Sequence, residues 1–237
     1  MSRSRTQVRA AWLGSVPYAE AWDLQKLLVE EVRAGGPEAL LLLEHPHVFT
    51  MGTRGSADNV LWDAAERRRR NIEIIWADRG GDVTYHGPGQ LTGYPILDLA
   101  RHGGDLLVYL RNLEAALVSY MAELGVEAAS VPGLTGVWHG SEKVAAIGIK
   151  KSGSIVSHGF ALNLTTDLDY FAGIVPCGLD DKTATSMERL TGRRVSVEAA
   201  ARGFAPHFER ALDVDLEWLE SLHLPEPAGA ADGPRTP

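Results

Sequence analysis

The chain has one cysteine, Cys177, so no disulfide can form within it, and an apolar core must hold the fold. That usage fits a reducing compartment. Long hydrophobic runs are missing as well. Ala39 to Leu43 is the longest, far short of the roughly 20 residues a membrane helix needs. Met1 to Arg9 is polar and basic, and no signal-type apolar segment follows it. A soluble, cytoplasmic protein is expected. There is no basic excess. A net charge of −8 argues against general nucleic-acid binding, which needs a cationic face to displace counterions. Internal repeats and long linkers are absent too, so one domain is expected over residues 7–223. The segments 1–6 and 224–237 are expected to be flexible, the second because its Pro, Gly and Ala content cannot build a core.

What is present reads as a mixture of helices and strands. Ala21, Leu24, Leu28 and Val32 recur at helical spacing, and Gly35-Gly36-Pro37 stops the helix they define, about Tyr18 to Ala34. Leu106, Leu110, Leu113, Leu117 and Met121 define a second helix over 106–124, with Asp105 placed to cap it. A short helix is expected at 61–70. Strands are expected at 39–43, 72–76 and 94–99. Short runs at 137–139, 144–149 and 155–164 are separated by turn residues and predict a meander, the last run half-buried. Residues 185–222 read as helix-rich. With no regular βαβ rhythm, the fold class is α+β, helices packed on a mixed or antiparallel sheet.

Four segments could carry chemistry. Arg79 to Gln90 holds four glycines and a proline, which let backbone approach a ligand closely. It lacks the Gly-Lys-Ser/Thr ending of a phosphate loop, and its glycines have the wrong spacing for a dinucleotide fingerprint. Cys177 lies between Pro176 and Gly178, a turn rather than the middle of a core element. A thiol with a pKa near 8.5 is only a few per cent thiolate at neutral pH, so a nucleophilic role needs a neighbouring base or cation. Lys143, His86, His158, His139 and Lys150 are the candidates. The third segment, Gly140 to Lys150, carries Ala145, Ala146 and Gly148, small residues that suit the wall of a narrow apolar slot. Gly159 and Ala161 repeat that pattern in Ser157 to Asn163. Each segment also reads as an ordinary turn or strand when taken alone.

Together the four segments resemble the lipoyl(octanoyl) transferase family, octanoyl-[acyl-carrier-protein]:protein N-octanoyltransferases. RGGDVTYHGPGQLTGYPILDL is similar to that family's signature. EHPHVFTMGTRG, EKVAAIGIK, HGFALN and PCGL occur around it in the family's order. The resemblance spans roughly Leu40 to Leu190. It implies a single domain like the catalytic domain of biotin and lipoate protein ligases. The implied activity is transfer of octanoyl from acyl carrier protein to a lysine on a lipoyl domain. Acceptors would be lipoyl domains of 2-oxoacid dehydrogenase complexes and the glycine cleavage H protein. Carried over, Cys177 takes the acyl group as a thioester and Lys143 lowers the thiol's pKa and moves protons. Arg79, Gly80, Gly81, Asp82, Val83, Thr84, Tyr85 and His86 line the acyl pocket, with Ala146, Ile147, Gly148, Gly159, Phe160 and Ala161. No metal, cofactor, nucleic acid or membrane is called for, and a monomer is expected. Docking of acidic protein partners would use basic residues, Arg67 to Arg70 and Lys150-Lys151 being candidates. An ATP-dependent ligase of the same fold and a non-catalytic acyl-binding module are the alternatives.

Overall fold

The computed structural model describes residues 5–175, 183–220 and 222. Eleven strands and five α-helices are found there. The large sheet runs β11 (Val214–Trp218), β1 (Thr6–Ser15), β2 (Glu38–Glu44), β6 (Gln90–Asp98), β10 (Ile155–Asn163), β9 (Glu142–Ser152), β8 (Leu134–His139) and β7 (Ala129–Val131). Pairings of β1 with β2 and β11 are parallel, and the others in this sheet are antiparallel. The expected mixed sheet is therefore present, and 134–163 forms the expected meander. A small sheet, β4 (Glu73–Trp76), β3 (Val48–Met51) and β5 (Val83–His86), stands beside it.

Alternation along β2 shows how the layers form. Leu40 and Leu42 face a core shared with α3 (Leu106–Glu123) and α5 (Val197–Leu212). Ala39, Leu41 and Leu43 face α1 (Tyr18–Arg33) on the other side. A strand covered on both faces needs no polar alternation, hence the unbroken apolar run. The same covering corrects the expectation for β10, whose nine residues are all buried rather than half-buried. Asp105 caps α3 as expected, accepting from the N–H groups of Leu107 and Val108. Two further helices are short: α2 (Ala64–Arg69), capped by Asp63, and α4 (Met187–Thr191).

Three other expectations change. Segment 1–6 is not wholly loose, because Thr6 already pairs with Val214 and Arg5 makes an ion pair with Asp213. Residues 185–222 hold α4 and α5 but end in a strand, β11, which the helical reading passed over. On α1 the buried stripe is Tyr18, Ala21, Gln25, Leu28 and Val32, with Gln25 buried in place of Leu24. Segment 224–237 lies outside the described residues. Among the described residues no helix is long and apolar enough to cross a membrane.

Candidate active site

A cavity of about 630 Å³ opens between the large sheet, α1 and the small sheet. That volume lies within the range of small-ligand sites. One wall is β9 from Lys143 to Ile149, a run of about 20 Å at ~3.3 Å per residue. The facing wall is the glycine-rich segment.

Backbone hydrogen bonds fix that segment between two neighbours. On one side the N–H groups of Gly52, Thr53 and Arg54 donate to the carbonyls of Asp82, Arg79 and Gly81 at 3.2, 2.9 and 3.0 Å. On the other, Gly80 N–H donates to Ile149 O at 3.0 Å. The approach is too close for side chains. A Cβ on Gly52 would lie 2.4 Å from Gly81 O, and one on Gly148 would lie 2.9 Å from Gly80 O. These glycines therefore serve close backbone packing as well as turns. Arg79 turns back into the protein, with Nε 3.0 Å and Nη2 2.9 Å from Thr50 Oγ1, both donating.

Of the expected pocket residues, Arg79, Gly80, Gly81, Asp82, Val83, Thr84, His86, Ala146, Ile147, Gly148, Gly159, Phe160 and Ala161 all line this cavity, as does Lys143. Tyr85 does not. Alternation along β5 turns it into the small sheet's own core with Phe49, Met51 and Ile174, where its ring stacks on Tyr170 at 5.0 Å. Its hydroxyl lies 2.8 Å from His47 Nδ1. Among the other candidate bases, His86 and His158 line the cavity, while His139 and Lys150 do not. Of the expected docking residues, Arg70 is engaged, lying over Trp62 and donating to Glu66. Lys150 is held 2.5 Å from Asp78 Oδ2. Cys177 lies outside the described residues. Of its described flanks, Val175 N–H donates to Asn59 O, away from the cavity lining, whereas Thr183 and Ala184 line the cavity beside Lys143.

Lys143 is held by its backbone. Its N–H donates to Thr183 O at 2.8 Å and its carbonyl accepts from Thr185 N–H at 3.0 Å, a parallel bridge to Ala184. Its Nζ lies 4.6 Å from the centre of the Trp138 ring, a cation–π contact.

At the cavity's inner wall lies a cluster of rings of which only His86 and His158 were candidates from the sequence. Tyr18, His45, His86, Tyr94 and His158 form it, with centroid separations of 5.2 to 6.2 Å between neighbours. His45 is fully buried. Its Nδ1–H donates to Val16 O at 2.6 Å, which leaves Nε2 to accept from Tyr94 O–H at 2.7 Å. Burial pushes its pKa down to about 4, the Val16 carbonyl opposing. Burial also pushes His86 well below the usual histidine range, with the His45 and Arg79 charges acting the same way. For His158 burial lowers the pKa against the opposing pull of Asp78, whose Oδ1 is 2.8 Å from His158 Nε2. These three imidazoles are accordingly neutral at neutral pH. Burial raises the Tyr18 phenol to about 12, Arg79 opposing.

His158 also bends the strand that carries it. Its φ is +55°, an uncommon conformation for a residue with a side chain. By register it opposes Pro95 on β6, which has no N–H to give. The pairing with β6 lapses there and resumes at Phe160–Gly93, and the His158 N–H is satisfied instead by Gln25 Oε1 at 2.8 Å. A buried Gln on the apolar stripe of α1 was the one sequence signal available for this arrangement.

Comparison with known proteins fits the architecture. The family model of the lipoyl protein ligase A/B catalytic domain matches residues 17–209. The structure of a lipoate-protein ligase A bound with ATP superposes with a TM-score of 0.72 at 17% identity, covering 92% of this chain and 90% of that one. A bipartite lipoate protein ligase from Thermoplasma acidophilum, studied with its E2 lipoyl domain, gives 0.71 at 17%, covering 92% and 88%. These likenesses define the fold class. An octanoyltransferase of Solibacter usitatus is 47% identical over 205 residues, 86% of this chain and 92% of that protein. The chain belongs to the octanoyltransferase family, within the lipoyl protein ligase A/B catalytic-domain class.

Proposed function

We propose that this acyltransferase moves an octanoyl group from acyl carrier protein to a lysine of a lipoyl domain, through a thioester on Cys177. One observation carries the reading. The cavity wall of small residues on β9 ends at Lys143, and the described residues that follow Cys177 in the chain, Thr183 and Ala184, line that same end. The homology to octanoyltransferases supports the acyl group, and the lipoyl domain studied with the archaeal ligase supports the acceptor.

The chemistry is a double displacement. The Cys177 thiolate attacks the octanoyl thioester; the C–S bond to the carrier breaks, and the carrier sulfur leaves as a thiol with a proton taken from the Lys143 ammonium, which becomes neutral. The acceptor amine then attacks the acyl-enzyme, the Cys177–acyl bond breaks, and the amine proton passes to Lys143. Thioester exchange is close to neutral and amide formation is downhill, so no ATP enters. Splitting the reaction lets two bulky protein substrates use one site in turn. An ammonium on Lys143 favours the thiolate, and each tenfold gain in the thiol's acidity corresponds to about 1.4 kcal/mol.

Intact-protein mass spectrometry after incubation with octanoyl-acyl carrier protein tests the intermediate. An octanoyl adduct on Cys177 is expected, with transfer to a lipoyl domain in the absence of ATP. Efficient transfer by a Cys177→Ser variant, or a strict need for ATP, would overturn the reading in favour of a ligase-type adenylate route.

A further inference from the structure

Along the cavity wall a row of buried amides runs from His86 to the strand segment that holds Lys143. His86 Nδ1 is 2.7 Å from Gln90 Oε1. Gln90 Nε2 donates to Asn163 Oδ1 at 2.9 Å and to Tyr85 O at 3.1 Å. Asn163 Nδ2 donates to Thr185 O at 2.9 Å. Thr185 N–H then donates to Lys143 O, and Lys143 N–H to Thr183 O. Gln90, Asn163 and Thr185 are 2%, 4% and 0% exposed, so water does not readily substitute for these bonds.

The direction of the row is fixed at two points. The carbonyls of Tyr85 and Thr185 can only accept, so both amide nitrogens must face them. Gln90 Oε1 is then left to accept from His86 Nδ1–H, and Asn163 Oδ1 to accept from Gln90. Neither amide can be inverted without opposing two acceptors. Asn163 closes β10, opposite Gln90, and lines the cavity itself. It is the one side chain in this row that grips the 183–185 segment.

We propose that Asn163, oriented by Gln90, is a positioning residue for Lys143: it clamps the 183–185 segment and so fixes the backbone pairing that aims Lys143 into the site. This rests on the reading of Lys143 as the group that activates Cys177. Asn163→Asp is nearly isosteric. It keeps the acceptor for Gln90 but replaces the donor facing Thr185 O with an oxygen, so the clamp is released. Gln90→Glu removes the donor to Asn163; the Asn163 amide is then driven to invert, which puts its oxygen against Thr185 O.

The readout is the pH dependence of iodoacetamide alkylation of Cys177, measured for the wild type, Lys143→Ala, Asn163→Asp and Gln90→Glu. It is combined with kcat and KM for octanoyl-acyl carrier protein. Both clamp variants are expected to move the alkylation midpoint upward, in the direction of Lys143→Ala, by about one pH unit. That corresponds to roughly tenfold slower alkylation at pH 7, and kcat should fall by a similar factor with KM little changed. A merely structural Asn163 would lower the melting temperature and leave the midpoint in place. If Lys143→Ala shifts the midpoint while Asn163→Asp and Gln90→Glu do not, the clamp is refuted and the Lys143 reading stands. If Lys143→Ala itself shifts nothing, that reading fails and the clamp falls with it.

Discussion

Acid should loosen this protein through its ring cluster before it touches the carboxylates, and His45 allows the size to be worked out. In the folded chain His45 is neutral, with Nδ1–H given to Val16 O and Nε2 taken by Tyr94 O–H. Protonating Nε2 would set a new donor against the Tyr94 hydroxyl, deep in the protein interior. The pKa accordingly lies at about 4 when folded, against 6.5 for the free side chain. In the unfolded chain the ring takes a proton as pH falls below 6.5, and the folded chain does not follow until about 4. The unfolded state therefore binds more protons across that window. Stability is fully present above pH 6.5 and is lost progressively down to about 4. The loss from this one ring is about 3 kcal/mol, at up to ~1.4 kcal/mol per pH unit. His86 and His158 are shifted the same way and steepen the slope. Urea unfolding at pH 7, 6 and 5 measures it. A His45→Gln variant can still donate to Val16 O and accept from Tyr94, but does not titrate. Its slope between pH 6 and 5 should be smaller than wild type by about 1 kcal/mol per pH unit. Equal slopes in the two proteins would refute the assignment of His45 as a buried neutral acceptor.

Two other outcomes follow from the same wall. Gly159→Ala would put a Cβ 2.2 Å from Gly93 O and 2.7 Å from Pro95 Cδ, so β10 and β6 must part. A loss of about 1–3 kcal/mol in thermal denaturation is expected, with octanoyl transfer falling alongside; an unchanged melting temperature would contradict the close approach. Asp78→Asn removes the carboxylate that raises the His158 pKa, so the His158 titration followed by NMR should move to lower pH, and a move upward would be inconsistent with the geometry.

Much of the cavity wall was legible because its residues are local in sequence. Gly80-Gly81, Gly148 and Gly159 stand out as small residues clustered in short runs, and strand pairing places those runs side by side. Tyr85 was misplaced because a period of two puts neighbours on opposite faces: Thr84 and His86 meet the cavity, and Tyr85 meets Phe49 and Ile174. The helix stripes were found by period, but the period could not tell that Gln25 rather than Leu24 turns inward. That choice answers to Pro95 and His158, 70 and 133 positions further along the chain by subtraction of residue numbers. His45 and Tyr94, inside quoted motifs, and Asp78, just before one, were given no role for the same reason. Each is ordinary in its own segment and acquires a role only across the sheet. β11 was hidden by length, five residues next to a sixteen-residue helix of strong pattern.

The placement of charge links the ring cluster to the proposed reaction. An eight-carbon tail is stabilised by burial at about 0.8 kcal/mol per methylene, on the order of 5 kcal/mol in all. That gain is reduced by every ion in the wall that must be stripped of water; the guanidinium of Arg79 is turned onto Thr50 instead. Three histidines in such a wall would defeat the gain if they were protonated. Burial keeps them neutral, and the paired hydrogen bonds of His45 and the Asp78 contact of His158 hold their tautomers. Lys143 lies at the other end, where β9 begins and where Thr183 and Ala184 line the cavity. An apolar tail and an anionic sulfur require opposite surroundings within one short acyl group. Under the proposed reaction, neutral rings at one end of β9 and Lys143 at the other would meet both needs, and the acid sensitivity of the fold is the consequence of keeping the inner histidines uncharged.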